Sequence, residues 1–391
     1  MRLACVSGAM LLVLVNIVWF GAYLKDAAGH TDAIFGGDYV VFHEAGRADV
    51  AADPDAVYDA RRFAARQQEA LGLSAPIVLP WIYPPSMLFF TELPARFSLE
   101  AGYFIWEAQF LALFLLALWR IWPNPVAILI VAASPAVFRA VITGQNGLLT
   151  SALLAFAVML AARKPVGAGA AAALLTVKPQ FGLLLPVAYA AGKHWRAFVF
   201  AAFFSAAFFL ASVIVYGPGS WSAFLDALSA NPARFGEEGS PLDRMMAPFG
   251  AAMHLGAPRP AAIAVQICAT LLIVAYTGFV FSKTREVNVR LVAIATAAPL
   301  ATPYALHYDT AILAPGLFAL ARLASEKGWL PSEKIGLLIL FLAPEFSPLP
   351  PETKIPFPFV IAAVAALLGA RRTMHEIGRT GVMSASATPL A

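Results

Sequence analysis

Charge is what this sequence has least of. Asp, Glu, Lys and Arg make up 13% of its 391 residues, against about 25% in an ordinary soluble domain. The chain is 60% hydrophobic with a mean hydropathy of +0.74, which excludes a soluble globular protein and indicates one that spans a membrane many times. Cysteine is almost as scarce. Cys5 and Cys268 both fall inside apolar runs, where they read as small buried hydrophobes and not as a disulfide or metal pair. The six histidines lack metal-ligand spacing, so a zinc site is not expected. No glycine-rich phosphate loop, Walker lysine or Gly-x-Ser-x-Gly elbow is present, and no cofactor is expected. The net charge of +4 and the pI near 9.1 do not point to nucleic acid, because the basic residues lie mostly in short tracts between apolar runs, where topology signals sit.

A membrane-crossing helix needs about 20 mainly apolar residues. Such runs lie near 3–24, 101–122, 125–142, 146–162, 195–216, 260–281, 290–303, 309–324, 335–345 and 355–370. They predict an all-α polytopic bundle of about 10–12 transmembrane helices, a single integral-membrane domain over 1–377 with a disordered polar tail at 378–391. The first run lacks a clear cleavage site and reads as an uncleaved span. The run 166–191 reads either as one long helix or as a hairpin broken at Lys178-Pro179. The hairpin gathers fifteen Lys and Arg residues against four acids on one face, which makes that face, with the N-terminus, cytoplasmic.

Two long segments then lie on the outer face. Residues 25–100 carry eleven acids and six bases and are far longer than a connector, which makes them a functional loop. Within it, Asp55 to Leu71 has helical spacing, with Ala60, Phe63, Ala64, Gln67 and Leu71 on one face and Arg61, Arg62 and Arg66 on the other. Such a helix suits the lipid headgroup layer, and equally a loop that packs on itself. Trp81 and Tyr83 suit the interface, and Ser86 to Phe97 a short re-entrant or interfacial piece. The second segment, 217–259, reads as a lid or as a plain linker.

Polar groups recur at the outer ends of spans: Asp38 after Gly36-Gly37, Arg139 with Gln145 and Asn146, Lys178-Pro179-Gln180, and His307-Tyr308-Asp309. Each is costly near hydrocarbon unless paired or wet. Together they suit one task. Asp38 is a candidate general base for a sugar hydroxyl, although the same residues also make an ordinary turn. Lys178, Arg139 and a protonated His307 are candidate cations for a lipid phosphate, and Gln145, Asn146 and Gln180 candidate hydrogen-bonding groups for sugar hydroxyls.

Gly36-Gly37-Asp38-Tyr39, Phe42, Ala45-Gly46-Arg47-Ala48, Val57-Tyr58-Asp59, Tyr83-Pro84-Pro85, Gly144-Gln145-Asn146-Gly147 and Lys178-Pro179-Gln180 occur in an order that resembles glycosyltransferase family 87. His307-Tyr308-Asp309 is a weaker echo. The resemblance implies a GT-C type membrane enzyme of the bacterial cytoplasmic membrane, with a long first periplasmic loop carrying short interfacial helices and an active site facing outward. It implies Asp38 as the catalytic residue and a polyprenyl-phosphate sugar, typified by mannose, as donor to an envelope glycan or glycolipid. Tyr39, Arg47, Tyr83, Tyr308 and Asp309 become candidate sugar- or acceptor-binding residues. Asp38 has no adjacent acid of the kind that the metal-dependent members carry, so the metal-free version is expected. The rival reading is a secondary transporter or lipid flippase, for which Glu107 and Gln109 inside the second span speak most directly. A glycan ligase would place its main outer loop late in the chain.

Overall fold

The structure is a computed structural model and describes residues 36–50, 52–73, 79–230, 241–347 and 353–386, together with 14, 18 and 349. The expected first span, Phe35, and 231–240 of the second outer segment therefore lie outside the described residues, apart from Leu14 and Val18. Among the described residues the chain is helical throughout, apart from one isolated bridge between Met245 and Leu306.

The outer segment opens the described chain with α1 (Tyr39–Val50), α2 (Ala60–Leu71) and α3 (Leu88–Ala95). The helical run expected from Asp55 is split. Pro54–Val57 forms a 3-10 turn, and the Asp59 side chain accepts from the backbone of Arg61 and Arg62 to start α2. Phe63, Ala64 and Gln67 are buried against the protein itself, where the Gln67 amide donates to the Leu79 carbonyl at 2.9 Å, while Arg61 and Arg62 are exposed. Trp81 and Tyr83 are not at an interface. They are buried and stack with Phe42, because a large aromatic surface gains more from a protein core than from the headgroup layer.

The membrane part follows as α4 (Leu99–Ile121), α5 (Pro125–Ala132), α6 (Pro135–Ile142), α7 (Gly147–Leu160), α8 (Pro165–Leu174), α9 (Leu185–Ala191) and α10 (Trp195–Ala230), which is two helices joined across a kink at Gly217 (φ 80°, ψ 157°) before Pro218. It continues through α11 (Pro248–His254), α12 (Arg259–Lys283), α13 (Val287–Ala297), α14 (Ala314–Lys327), α15 (Glu333–Leu342) and α16 (Phe357–Ser386), which runs into the polar tail. Four of these, α4, α10, α12 and α16, are long and apolar enough to cross a membrane, or five spans if α5 and α6, bent by 52° at Ala133-Ser134, count as one. Their outward faces are greasy: Ile214 is 82% exposed and Leu272 71%, as a lipid-facing surface requires.

Several of the expected spans are half-length instead. α7 has 14 residues, α13 has 11 and α14 has 14, and residues 288–297 of α13 are all buried. A helix apolar on every side and too short to span belongs in a core. Two of them begin beside polar motifs, α7 after Gln145-Asn146 and α14 after the 3-10 stretch His307–Leu313. The polar residues thus sit at helix ends within the protein interior.

The run 166–191 folds back on itself. In one straight helix Ala168 and Tyr189 would stand about 32 Å apart, yet the Tyr189 hydroxyl lies 3.5 Å from the Ala168 carbonyl and donates to Ala157 at 3.0 Å. The break falls at Lys178 (φ −130°, ψ 74°), as the following proline demands. The segments 25–100 and 217–259 also meet: the Ser220 hydroxyl donates to Asp55, and Tyr58 packs on Phe224. Near the C-terminal end of α14, the fully buried Arg372 pairs with Glu333 at 3.1 Å and Glu376 at 2.9 Å, and Lys327 with Glu376 at 3.0 Å.

Candidate active site

Two turns nest against each other to build the site. Gly36 and Gly37 both have left-handed backbones (φ 71° and 56°), and so does Gly144 (φ 64°). A side chain at 144 would put its Cβ 2.3 Å from the Gly36 carbonyl oxygen and 2.6 Å from Tyr39 Cβ, so only glycine allows this approach. The Asp38 N–H donates to the Thr143 carbonyl at 2.9 Å and closes the contact. On the far side, the Trp106 indole donates to Gly144 O at 3.1 Å and the Tyr103 hydroxyl to Val141 O at 2.8 Å.

That clamp sets Asp38 beside Gln145. The Gln145 amide donates to Asp38 Oδ2 at 2.6 Å, and its own Oε1 accepts from the Tyr83 hydroxyl at 3.1 Å. The Tyr83 ring in turn faces Lys178 Nζ, 5.8 Å from the ring centroid, with Tyr308 on another side at 5.4 Å. Lys178, at the hairpin break, is buried and donates to Asp309 Oδ1 at 2.7 Å, while Asp309 Oδ2 accepts from the Leu306 backbone at 3.2 Å. Residues 38, 83, 145, 178, 308 and 309 therefore form one continuous chain of contacts.

Electrostatics distinguish the groups. Asp38 is half-buried, and burial raises its pKa above the usual carboxylate range, while the Gln145 hydrogen bond and then the Lys178 and Arg244 charges pull it back down. Burial, with help from Arg139 and Arg244, pushes His307 down to about 3. The imidazole is therefore neutral at ordinary pH and supplies no cation, against the expectation of a protonated His307. The Tyr83 and Tyr308 phenols, raised by burial and by the nearby carboxylates, stay protonated.

The other candidates lie elsewhere. Arg139 turns away to hold the end of the stretch after α15, donating to Pro344 O at 2.8 Å and to Glu345 O at 3.4 Å. Arg47 is exposed on α1 and pairs with Glu44. Tyr39 is wholly buried among Tyr103 and Trp106, Asn146 is wholly buried with its amide against Met87, and Gln180 is half-buried after Pro179. Glu107 is buried within α4, with no hydrogen-bond partner among the described residues on either carboxylate oxygen, and Gln109 is half-buried. Sequence reasoning passed over Tyr304, which packs near Tyr308, and Arg244, whose charge reaches Asp38 and His307. A tyrosine four residues before Tyr308 was the available sign of the first. Among the described residues no three His, Cys, Asp or Glu side chains stand together as a metal site.

A carboxylate with a raised pKa, an amide that orients it and a buried lysine beside two phenols make an arrangement suited to proton transfer from a hydroxyl next to an anion. The profile of glycosyltransferase family 87 matches residues 81–303, more than half of the chain. The chain belongs to glycosyltransferase family 87. It is a membrane glycosyltransferase, with a sugar donor and an acceptor as its substrates. No curated protein and no solved structure matches it. The matched stretch of this family-87 transferase holds Tyr83, Gln145 and Lys178, whereas Asp38, Tyr308 and Asp309 come to them from outside it.

Replacing Gln145 in the transferase should move its pH profile. With Asp38 as the proton acceptor, activity would rise as pH climbs through its pKa, which the Gln145 hydrogen bond holds down. In Gln145→Leu the acid limb of kcat/KM is expected at higher pH than in wild type. An unmoved limb, or one displaced to lower pH, would show that Asp38 does not govern it.

Proposed function

We propose that this enzyme transfers a sugar, with mannose the first to test, from a polyprenyl-phosphate donor to an envelope glycan or glycolipid. The observation that carries the reading is the Asp38–Gln145–Tyr83 relay ending at the buried Lys178–Asp309 pair. The acceptor hydroxyl gives its proton to the Asp38 carboxylate as its oxygen bonds to the anomeric carbon. The bond from that carbon to the phosphate oxygen breaks, and polyprenyl phosphate leaves with the electron pair. One displacement inverts the anomeric configuration. Lys178, paired with Asp309, lines the cleft, and Tyr83 and Tyr308 give flat faces for the sugar. Tyr39 and Asn146 support the site from within the core, and Gln180 is available at its hairpin side. Arg139 shapes the wall that approaches Pro344. No step calls for a metal.

The test is release of polyprenyl phosphate from polyprenyl-phosphate mannose by purified protein in lipid nanodiscs, with crude envelope glycolipid as acceptor. Release that requires the acceptor supports the reading; no release from mannose, glucose or arabinose donors would sink it.

We also propose that the site faces the outer side of a bacterial cytoplasmic membrane. In support, α14 carries the chain about 20 Å to its Lys327 end, where Arg371, Arg372 and Arg379 donate to the backbone carbonyls of Pro331, Gly328 and Lys327. In a cysteine-free background, Ala60→Cys is expected to react with an impermeant maleimide applied from outside, and Glu286→Cys is not. The reverse pattern would invert the topology.

A further inference from the structure

The charges around Asp38 do not balance for a phosphate. Lys178 and Asp309 cancel each other at 2.7 Å, both almost fully buried. Arg139 points its donors at backbone carbonyls, and His307 is neutral. Asp38 therefore leaves the pocket with a negative balance when ionised. A phosphodiester that approaches it is repelled, and the leaving phosphate gains further negative charge as the sugar departs. Another cation has to stand at the mouth.

Arg244 stands there. It ends the 3-10 turn Leu242–Arg244 in the second outer segment, and the chain beyond it is fastened to the loop that carries His307, Tyr308 and Asp309. Met245 bridges Leu306, and the Met246 N–H donates to the Ala305 carbonyl at 2.8 Å. Met245 and Met246 are wholly buried, and Leu242 and Met245 pack in a cluster with Tyr304, Leu306 and Tyr308. The backbone of Arg244 is thus fixed at the rim while its side chain stays 56% exposed, with Asp243 a distant 3.9 Å away. Its charge is felt at both Asp38 and His307.

We infer that Arg244 is the residue that grips the donor's anionic phosphate, its guanidinium fork presented at the mouth of the site beside the Asp309 loop. The planar fork matches two phosphate oxygens at once, which a lysine point charge does not. The assignment rests on the reading that the donor is a lipid phosphate. Arg244 binds that phosphate in the ground state and holds the second negative charge as the carbon–oxygen bond breaks. Lys178 stays paired with Asp309.

The experiment compares wild type, Arg244→Gln and Arg244→Lys in nanodiscs, measuring donor and acceptor KM with polyprenyl-phosphate mannose. Competition by polyprenyl phosphate is measured beside competition by uncharged polyprenol. Arg244→Gln is expected to raise the donor KM and weaken polyprenyl phosphate inhibition by about tenfold or more. Acceptor KM and polyprenol inhibition should stay unchanged, and Arg244→Lys should recover part of the loss. If wild type prefers polyprenyl phosphate over polyprenol and Arg244→Gln keeps that preference, the inference falls while the donor reading stands. If wild type shows no such preference, the donor reading falls and takes the inference with it. Arg244 is largely exposed, so Arg244→Gln is expected to fold, and an unchanged acceptor KM verifies this.

Discussion

Asp38→Asn is expected to abolish sugar transfer. A positioned general base contributes about 10²–10⁴-fold to rate, and an amide at 38 cannot take the proton. The variant keeps what the fold needs. Its backbone N–H still donates to Thr143 and its side-chain carbonyl can still accept from Gln145, so membrane insertion and thermal stability should match wild type. The check is polyprenyl phosphate release at saturating donor and acceptor. A variant within about tenfold of wild type would leave Asp38 as a turn residue and nothing more.

Breaking the Lys178–Asp309 pair is expected to cost stability as well as activity. Both side chains are at most 5% exposed, so removing one strands the other charge in a low-dielectric interior. The usual penalty for that is about 3–5 kcal/mol. Lys178→Met and Asp309→Asn should each lower the melting temperature in detergent. The double variant Lys178→Met with Asp309→Leu should regain much of it, because neither partner is then left alone, while transfer stays lost. Single variants as stable as wild type would mean that water reaches the pair. A double variant that transfers sugar would remove Lys178 from the chemistry.

Parts of this architecture were legible in residues read one stretch at a time. Composition was enough for an all-helical membrane protein. Charge distribution along the chain was enough for a fold-back at Lys178-Pro179, since proline breaks a helix whatever surrounds it. Lys178 also announced that a cavity or an anion must lie near it. Which anion was out of reach, because Asp309 lies 131 residues further on and nothing local marks the pairing. Asp38 and Gln145 are separated by 107 residues and meet through a backbone contact between two glycine turns, a feature without periodicity. Trp81 and Tyr83 misled for a different reason. An aromatic ring with a polar edge suits a membrane interface and, once its polar edge finds a partner, a protein core equally well, and only the surroundings decide. Hydropathy also counted α7, α13 and α14 as spans, since a short apolar core helix and the middle of a spanning one look alike.

The same long separations govern how the enzyme comes into being. A ribosome adding about 5–20 residues per second needs roughly 5–20 s to pass from Asp38 to Gln145, and longer to reach Asp309. Throughout that interval the Asp38 carboxylate lacks the Gln145 amide that orients it in the finished fold. A nascent chain stalled anywhere before residue 309 lacks half of the buried ion pair, and is expected to be inert. Activity is switched on late in synthesis, once the chain downstream has come back to the loop that left first.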